Sequence, residues 1–175
     1  MNPGGLSPET HTAEQVITLL RLEPLAQEGG FFRREAEATA RGADGRLTWS
    51  TIYFLLTPAG FSALHRLKVD EIWCFQAGDA VESLRLHPDG RGERVRLGLN
   101  VGAGERLQDV ITAGTWQGTR LAPGGRWALV SCVVVPGFEW GDFELGERLP
   151  LATRYAAFAG DIAALTRAQP ISGRL

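Results

Sequence analysis

The sequence predicts an all-β barrel or sandwich with a helix at each end, and three observations carry that reading. Between positions 31 and 135 the chain is a series of short apolar runs without helical periodicity. Each run closes on a Gly, Pro or Asp turn signal. Patterns that place apolar residues on one helical face occur only near the two ends of the chain.

In chain order, residues 1–11 are rich in Gly, Pro and Ser and read as a loose tail. The remainder, 12–175, reads as one domain. At 12–22, "TAEQVITLLRL", Thr12 and Gln15 have the spacing of a capping box, and Val16, Leu19 and Leu20 share a face. The apolar runs follow at 48–56, 71–75, 81–86, 94–97, 107–112, 115–121 and 127–135, within a β region placed at 31–145. The punctuation between them includes Ala43-Asp44-Gly45, Pro58-Ala59-Gly60, Pro88-Asp89-Gly90, Ala113-Gly114 and Pro123-Gly124-Gly125. Runs 81–87 and 93–97, joined by Pro-Asp-Gly-Arg-Gly, form a hairpin. These Gly-rich segments lack the strand-to-helix setting of a phosphate loop. Tyr155, Phe158, Ile162 and Leu165 fall at helical spacing and predict a closing helix over 151–168.

Composition narrows the function. With 175 residues, 44% hydrophobic and 22% charged, the chain suits a soluble domain with a sizeable core. A net charge of −2 argues against a nucleic-acid groove or an anionic membrane surface as partner. No apolar run approaches the roughly 20 residues of a membrane span. The first residues, "MNPGGLSPETHT", lack the basic start and apolar core of a signal peptide. Cys74 and Cys132 sit inside apolar runs and read as reduced core thiols, with Cys132 an unpromising nucleophile for want of a His partner. Together these features predict a cytoplasmic protein.

The chemistry concentrates in "SALHRLKVDEIWCFQAG" (62–78), which nearly spells a metal site: His65, then Leu67 where a second His would stand, then Glu71. Its spacing is similar to the cupin pattern. In that pattern Gly, His-x-His, Glu and Gly fall on Gly60, His65, Leu67, Glu71 and Gly78. A second stretch of Gly, Pro-x-Gly, His and Asn falls on Gly104, Thr112, Gly114, Gln117 and Leu121. The wording of "EGGFFRRE" (28–35), "STIYFLLTPAGFSALHRLKVDEIWCFQAGD" (50–79) and "WALVSCVVVPGFEWGDFEL" (127–145) resembles one small single-domain family, often labelled cupin-5 or by a domain-of-unknown-function name. The resemblance covers nearly the whole chain. It implies a cupin double-stranded β-helix, or jelly roll, and often a homodimer, in a family whose members mostly lack an assigned activity.

Side chains alternate along a strand, so His65 and Leu67 share a face, and Glu71, Trp73 and Phe75 share another. Ile72 and Cys74 then face away. Gln117 and Thr119 look into the same space, with Trp116 turned out or at the rim. On run 48–56, Ser50 and Tyr53 lie on opposite faces and are rival wall residues. The expected pocket is aromatic-walled, with His65 and Glu71 as candidate catalytic groups. Ser50, Tyr53, Trp73, Phe75, Gln108, Gln117, Phe32, Arg33 and Phe138 are its candidate ligand contacts. Arg33, Arg34 and Glu35 form either an anion clamp or an interstrand or dimer salt-bridge set. The segment 136–145 is either a lid or a packed crossover. His65 could instead occupy a charged surface corner beside Arg66, Lys68 and Asp70.

A metal is a poor fit to these residues. The chain has three histidines, and His11 (tail) and His87 (hairpin tip) lie far from His65 in the pattern. The best set is His65, Glu71 and Gln117, whose amide is a weak ligand beside the donors zinc or iron usually take. No cofactor is therefore expected, with a divalent metal as the alternative. Without a metal, a buried Glu beside a His can serve as acid and base. The expected function is binding of a small polar metabolite, a carbohydrate derivative being the candidate class, with metal-independent isomerisation, epimerisation or elimination through His65 and Glu71. A non-catalytic ligand-binding or sensor protein and a metal-dependent enzyme with a His/Glu/Gln site are the alternatives.

Overall fold

A computed structural model describes residues 5–167 of the chain. Helix α1 (Ala13–Leu20) opens on the expected capping box: Gln15 N donates to Thr12 Oγ1, and Thr12 N donates to Gln15 Oε1. It stops at Arg21, whose φ of 53° is left-handed. The strands follow as β1 (Glu23–Pro24), β2 (Phe31–Glu37), β3 (Ser50–Leu56), β4 (Ser62–Leu67), β5 (Asp70–Gly78), β6 (Val81–Leu86), β7 (Gly92–Leu97), β8 (Gln108–Ile111), β9 (Trp116–Leu121), β10 (Ala128–Val135) and β11 (Phe143–Leu145). Two further helices close the chain, α2 (Arg148–Arg154) and α3 (Ala159–Ala164).

The strands form two antiparallel sheets. One has the order β1-β2-β3-β10-β5-β8 and the other β11-β4-β9-β6-β7. Consecutive strands thus pass back and forth between sheets, as in the expected jelly roll. The inner faces enclose Phe54, Leu56, Trp73, Phe75, Val81, Leu97, Ile111 and Val130. Outside the first sheet, α1 covers Leu55, Ala77, Trp127 and Leu129 through Val16. Outside the second, α2 and α3 cover Leu64, Leu84, Leu86 and Trp116 through Leu151, Tyr155, Ile162 and Leu165. Two outer helical layers account for chain segments that strand periodicity leaves out.

The expected strand runs and the observed strands agree to within a few residues. β2 and β4 extend the pattern into 31–37 and 62–67, where charged residues break up the apolar run. The closing helix expected over 151–168 is two short helices joined by a turn at Ala156–Phe158, and residue 168 lies outside the described part. The break falls at Tyr155, which leaves the helical conformation (φ −118°, ψ 56°) while its hydroxyl donates to His87 O. Among the described residues no helix is long and apolar enough to cross a membrane.

Gly78 shows how closely the sheets and loops are fitted. Its φ is +101°, and a Cβ there would collide with Trp127 O, which accepts from Asp79 N. Gly45 has a positive φ as well, but open space around it. Gly78→Ala should therefore lose at least about 2 kcal/mol of stability and Gly45→Ala about 1 kcal/mol, read from urea midpoints of the two variants.

Candidate functional site

The inward faces of β4 and β5 meet at one end of the barrel and leave a cavity of about 180 Å³. On β4, Leu64 packs outward under the closing helices, so His65 points in and is 2% exposed. Its Nδ1 lies 2.7 Å from Ala63 O. A carbonyl only accepts, so Nδ1 carries the hydrogen, and Nε2 faces the cavity with a free lone pair. Burial holds the imidazole below its ordinary pKa, and Glu71 opposes that shift.

Glu71 enters from β5 in the facing sheet and is 7% exposed. Its Oε2 accepts from Gln117 Nε2 at 2.5 Å, and Gln117 is the strand partner of His65 across β4 and β9. Burial raises the Glu71 carboxyl, His65 counteracts this, and Glu28 raises it further. Half a turn of its amide lets Gln117 serve both protonation states. Its N–H donates to a carboxylate, and its oxygen, turned over, accepts from a carboxylic acid.

Glu28 is the group that strand alternation did not find. It lies in the turn before β2, where no periodicity marks its direction. Its Oε2 stands 4.0 Å from His65 Nε2, and its Oε1 accepts from Ser62 Oγ at 2.5 Å. Burial pushes its carboxyl up to about 7, with the Ser62 hydrogen bond opposing. The "EGG" that follows a turn and precedes the first long strand was the available signal: Gly29 and Gly30 both have positive φ and pack against Phe61 O and Phe54.

The other walls are mostly apolar. Leu25, Phe32, Ile52, Leu67, Cys132, Val134, Phe138, Trp140 and Phe143 line the cavity, with Ser50, Arg34 and Glu139 as further polar contributors. Of the two rival faces of β3, that of Ser50 and Ile52 looks in. Tyr53 looks out, beside the Leu55 layer and under the Arg33 guanidinium. Arg33 pairs with Glu35, and its neighbour Arg34 reaches the cavity instead. Arg34 shares the inward face of Phe32, two residues before it, and pairs across the sheet with the inward Ile52, whereas Arg33 pairs with the outward Tyr53. Trp73 and Phe75 point inward as expected but are part of the core below the cavity. Gln108 is exposed, because the alternation of β8 turns Asp109 and Ile111 inward. Gln117 is reached only through Glu71. Beside it, Arg85 is held by Asp109, with Nε to Oδ2 at 3.0 Å, and Asp109 also accepts from Arg106 at 3.2 Å.

The segment expected to be a lid or a crossover packs along the cavity wall. Phe138, Trp140 and Phe143 form an edge-to-face row along the cavity, and Phe143 stacks on His65 with ring centres 5.0 Å apart. The segment is tied down by Phe138 N to Ser50 Oγ (2.9 Å), Arg46 to Asp142 (2.5 Å) and Lys68 Nζ to Gly141 O (2.8 Å).

The cupin pattern implies a metal at His65, Leu67, Glu71 and Gln117, and the donors fit one poorly. Leu67 offers only carbon, and the Gln117 amide is engaged with Glu71. Among the described residues no three His, Cys, Asp or Glu side chains are grouped to hold a metal ion.

Glu28 has a consequence for stability. Its carboxyl binds a proton more tightly folded (about 7) than unfolded (about 4.5), so folding is favoured least once pH rises past 7. The native state should lose stability between those values, by on the order of 3 kcal/mol at most. The side chain retains 13% exposure through the cavity, which makes that figure a ceiling. Glu28→Gln should flatten this slope: urea midpoints of wild type and variant, compared at pH 5 and pH 8, should show the variant gaining at the higher pH.

Comparison with known proteins places this geometry. The profile of the family Cupin_5, described as cupin superfamily (DUF985), matches residues 14–146. An uncharacterized protein of Saccharomyces cerevisiae, YML079W, is 29% identical over 134 residues, covering 66% of each chain, a little under two thirds. Among solved structures, protein SO0799 of Shewanella oneidensis superposes with a TM-score of 0.84 at 35% identity, covering 91% of this chain and 99% of that one. A hypothetical protein from Leishmania major superposes at 0.80 with 33% identity, covering 90% and 100%. The oxalate decarboxylase of Bacillus subtilis, at 15% identity and a TM-score of 0.52 over 86% of this chain and 42% of its own, shares the fold alone.

Proposed function

The chain belongs to the Cupin_5 (DUF985) family of the cupin superfamily, and from that premise we propose that its barrel pocket binds a small metabolite and moves a proton on it without a metal. The observation that carries this reading is the fixed tautomer of His65. An unprotonated Nε2 stands 4.0 Å from a Glu28 carboxyl whose pKa lies near neutrality. One group is prepared to take a proton and the other to give one at the same pH.

For a carbonyl ligand the step is an enolisation. His65 Nε2 takes the proton from the carbon beside the carbonyl, and the protonated carboxyl of Glu28 or Glu71 donates to the carbonyl oxygen. Return of the proton to the opposite face of the same carbon gives an epimer. With a hydroxyl on that carbon, its delivery to the former carbonyl carbon gives the isomeric carbonyl. A β-hydroxyl protonated by the carboxyl leaves as water and gives elimination. The apolar walls keep bulk water from competing for these protons. The three carboxyl and imidazole groups lie at one end of the cavity, so the reacting part of the ligand lies there and its apolar remainder lies along the aromatic row.

A metabolite library screened by thermal shift, with products followed by mass spectrometry, supplies the test. His65→Ala and Glu71→Gln should abolish turnover of any ligand found while leaving its affinity within a few-fold; wild-type rates in both variants would rule out proton transfer by these groups. For the wild type, kcat/KM should rise with pH as His65 loses its proton, at a value below that of ordinary imidazole. It should fall again as Glu28 ionises near 7. In Glu28→Gln the alkaline limb should move or disappear; if it stays in place, Glu28 is not the acid.

A further inference from the structure

The cavity holds two buried carboxyls that the protein itself leaves without a cation. Among the described residues, no Lys or Arg forms an ion pair with Glu28 or Glu71, and the nearest basic atom to Glu28 is His65 Nε2 at 4.0 Å. The basic side chains nearby are committed elsewhere. Arg85 bonds Asp109, Arg34 at the mouth pairs with Glu37, and Arg46 takes Asp142 and Glu139. His65 does not fill the role, since burial disfavours its charged form and its Nδ1 hydrogen already belongs to Ala63 O. A buried carboxyl without a countercharge holds a proton instead, so an occupant that brings positive charge takes the place of that proton and leaves the carboxylate paired.

The rest of the wall agrees on what kind of cation. Phe32, Phe138, Trp140 and Phe143 surround the entrance side of the cavity, and aromatic faces attract an organic cation while offering nothing to the water shell of a metal ion. A cavity of about 180 Å³ lies below the roughly 300–1,000 Å³ of sites for drug-sized ligands. Ser50 is the one hydroxyl in the wall, and it already accepts from Phe138 N.

We propose that the ligand is a small organic cation, a primary amine or quaternary ammonium compound, whose charge lies against Glu28 and Glu71 and whose carbon skeleton lies against Phe138, Trp140 and Phe143. This rests on the reading of the cavity as the ligand site and adds the class of ligand.

The test uses probes that differ in charge alone. Benzylamine, benzyl alcohol and benzoate share a ring and nearly a size, and each is titrated into the full chain at neutral pH by calorimetry and by amide NMR. Benzylamine should bind about tenfold more tightly than benzyl alcohol, with benzoate weakest, and should shift amide signals around Phe138 and Phe143. The double variant Glu28→Gln with Glu71→Gln keeps the hydrogen-bonding shape, and its NMR spectrum checks that it folds. It should bind amine and alcohol alike. Equal or better binding of the alcohol or benzoate overturns the proposal, as does an amine preference that survives in the double variant. It is also overturned if tetramethylammonium and all three probes fail to bind, or if Mn²⁺ or Zn²⁺ alone raises Tm in wild type and not in the variant. Failure here is distinct from failure of proton transfer. Organic cations that bind and are never altered sustain the cation site and remove the catalysis, while turnover of a neutral metabolite does the reverse.

Discussion

The hydrogen bond from Gln117 to Glu71 joins the two sheets across the barrel interior, and the site is arranged around it. It ties β9 to β5, which are neighbours in neither sheet. Gln117 is also the strand partner of His65, so one side chain sets the relation between imidazole and carboxyl. The contact lies in a low-dielectric interior, where a satisfied polar pair is rigid and an unsatisfied one is expensive. Gln117 is also the strand partner of Arg85, so His65, Gln117 and Arg85 form one row across β4, β9 and β6, with Asp109 holding the guanidinium at its far end.

Period-two alternation made most of this legible in the sequence. It separated Glu71, Trp73 and Phe75 from Ile72 and Cys74, and it placed Gln117 inward with Trp116 against the outer helices. The Gly and Pro turns located the strands because positive φ values are needed at several of them, Gly78 and Gly114 among them. Alternation leaves a two-fold ambiguity of face, and for β3 nothing local could break it. Ser50 and Tyr53 were equivalent until the helix α1 was seen to cover the Leu55 side.

The rest lay outside any periodic element. Glu28 sits in a turn, and a turn residue's direction is set by tertiary packing rather than by its neighbours in sequence. Arg34 rather than Arg33 reaches the cavity by plain alternation with Phe32, opposite Ile52, and only the choice of face for β2 lay outside the local pattern. Trp73 and Phe75 had the right face and the wrong depth, since alternation tells inside from outside and says nothing about height along the barrel. The family match supports the fold and leaves the chemistry to the residues, because a fold shared at 15% identity with a decarboxylase does not transfer its reaction.

The hydrogen bond between His65 Nδ1 and Ala63 O constrains more than the ring's orientation. With that nitrogen committed to the backbone, the imidazole has a single working atom, and no relay through the ring to a second acceptor is open to it. In the proposed chemistry a proton that Nε2 collects leaves from Nε2, either back to the ligand or across to Glu28, so the ring acts as a carrier with one docking point.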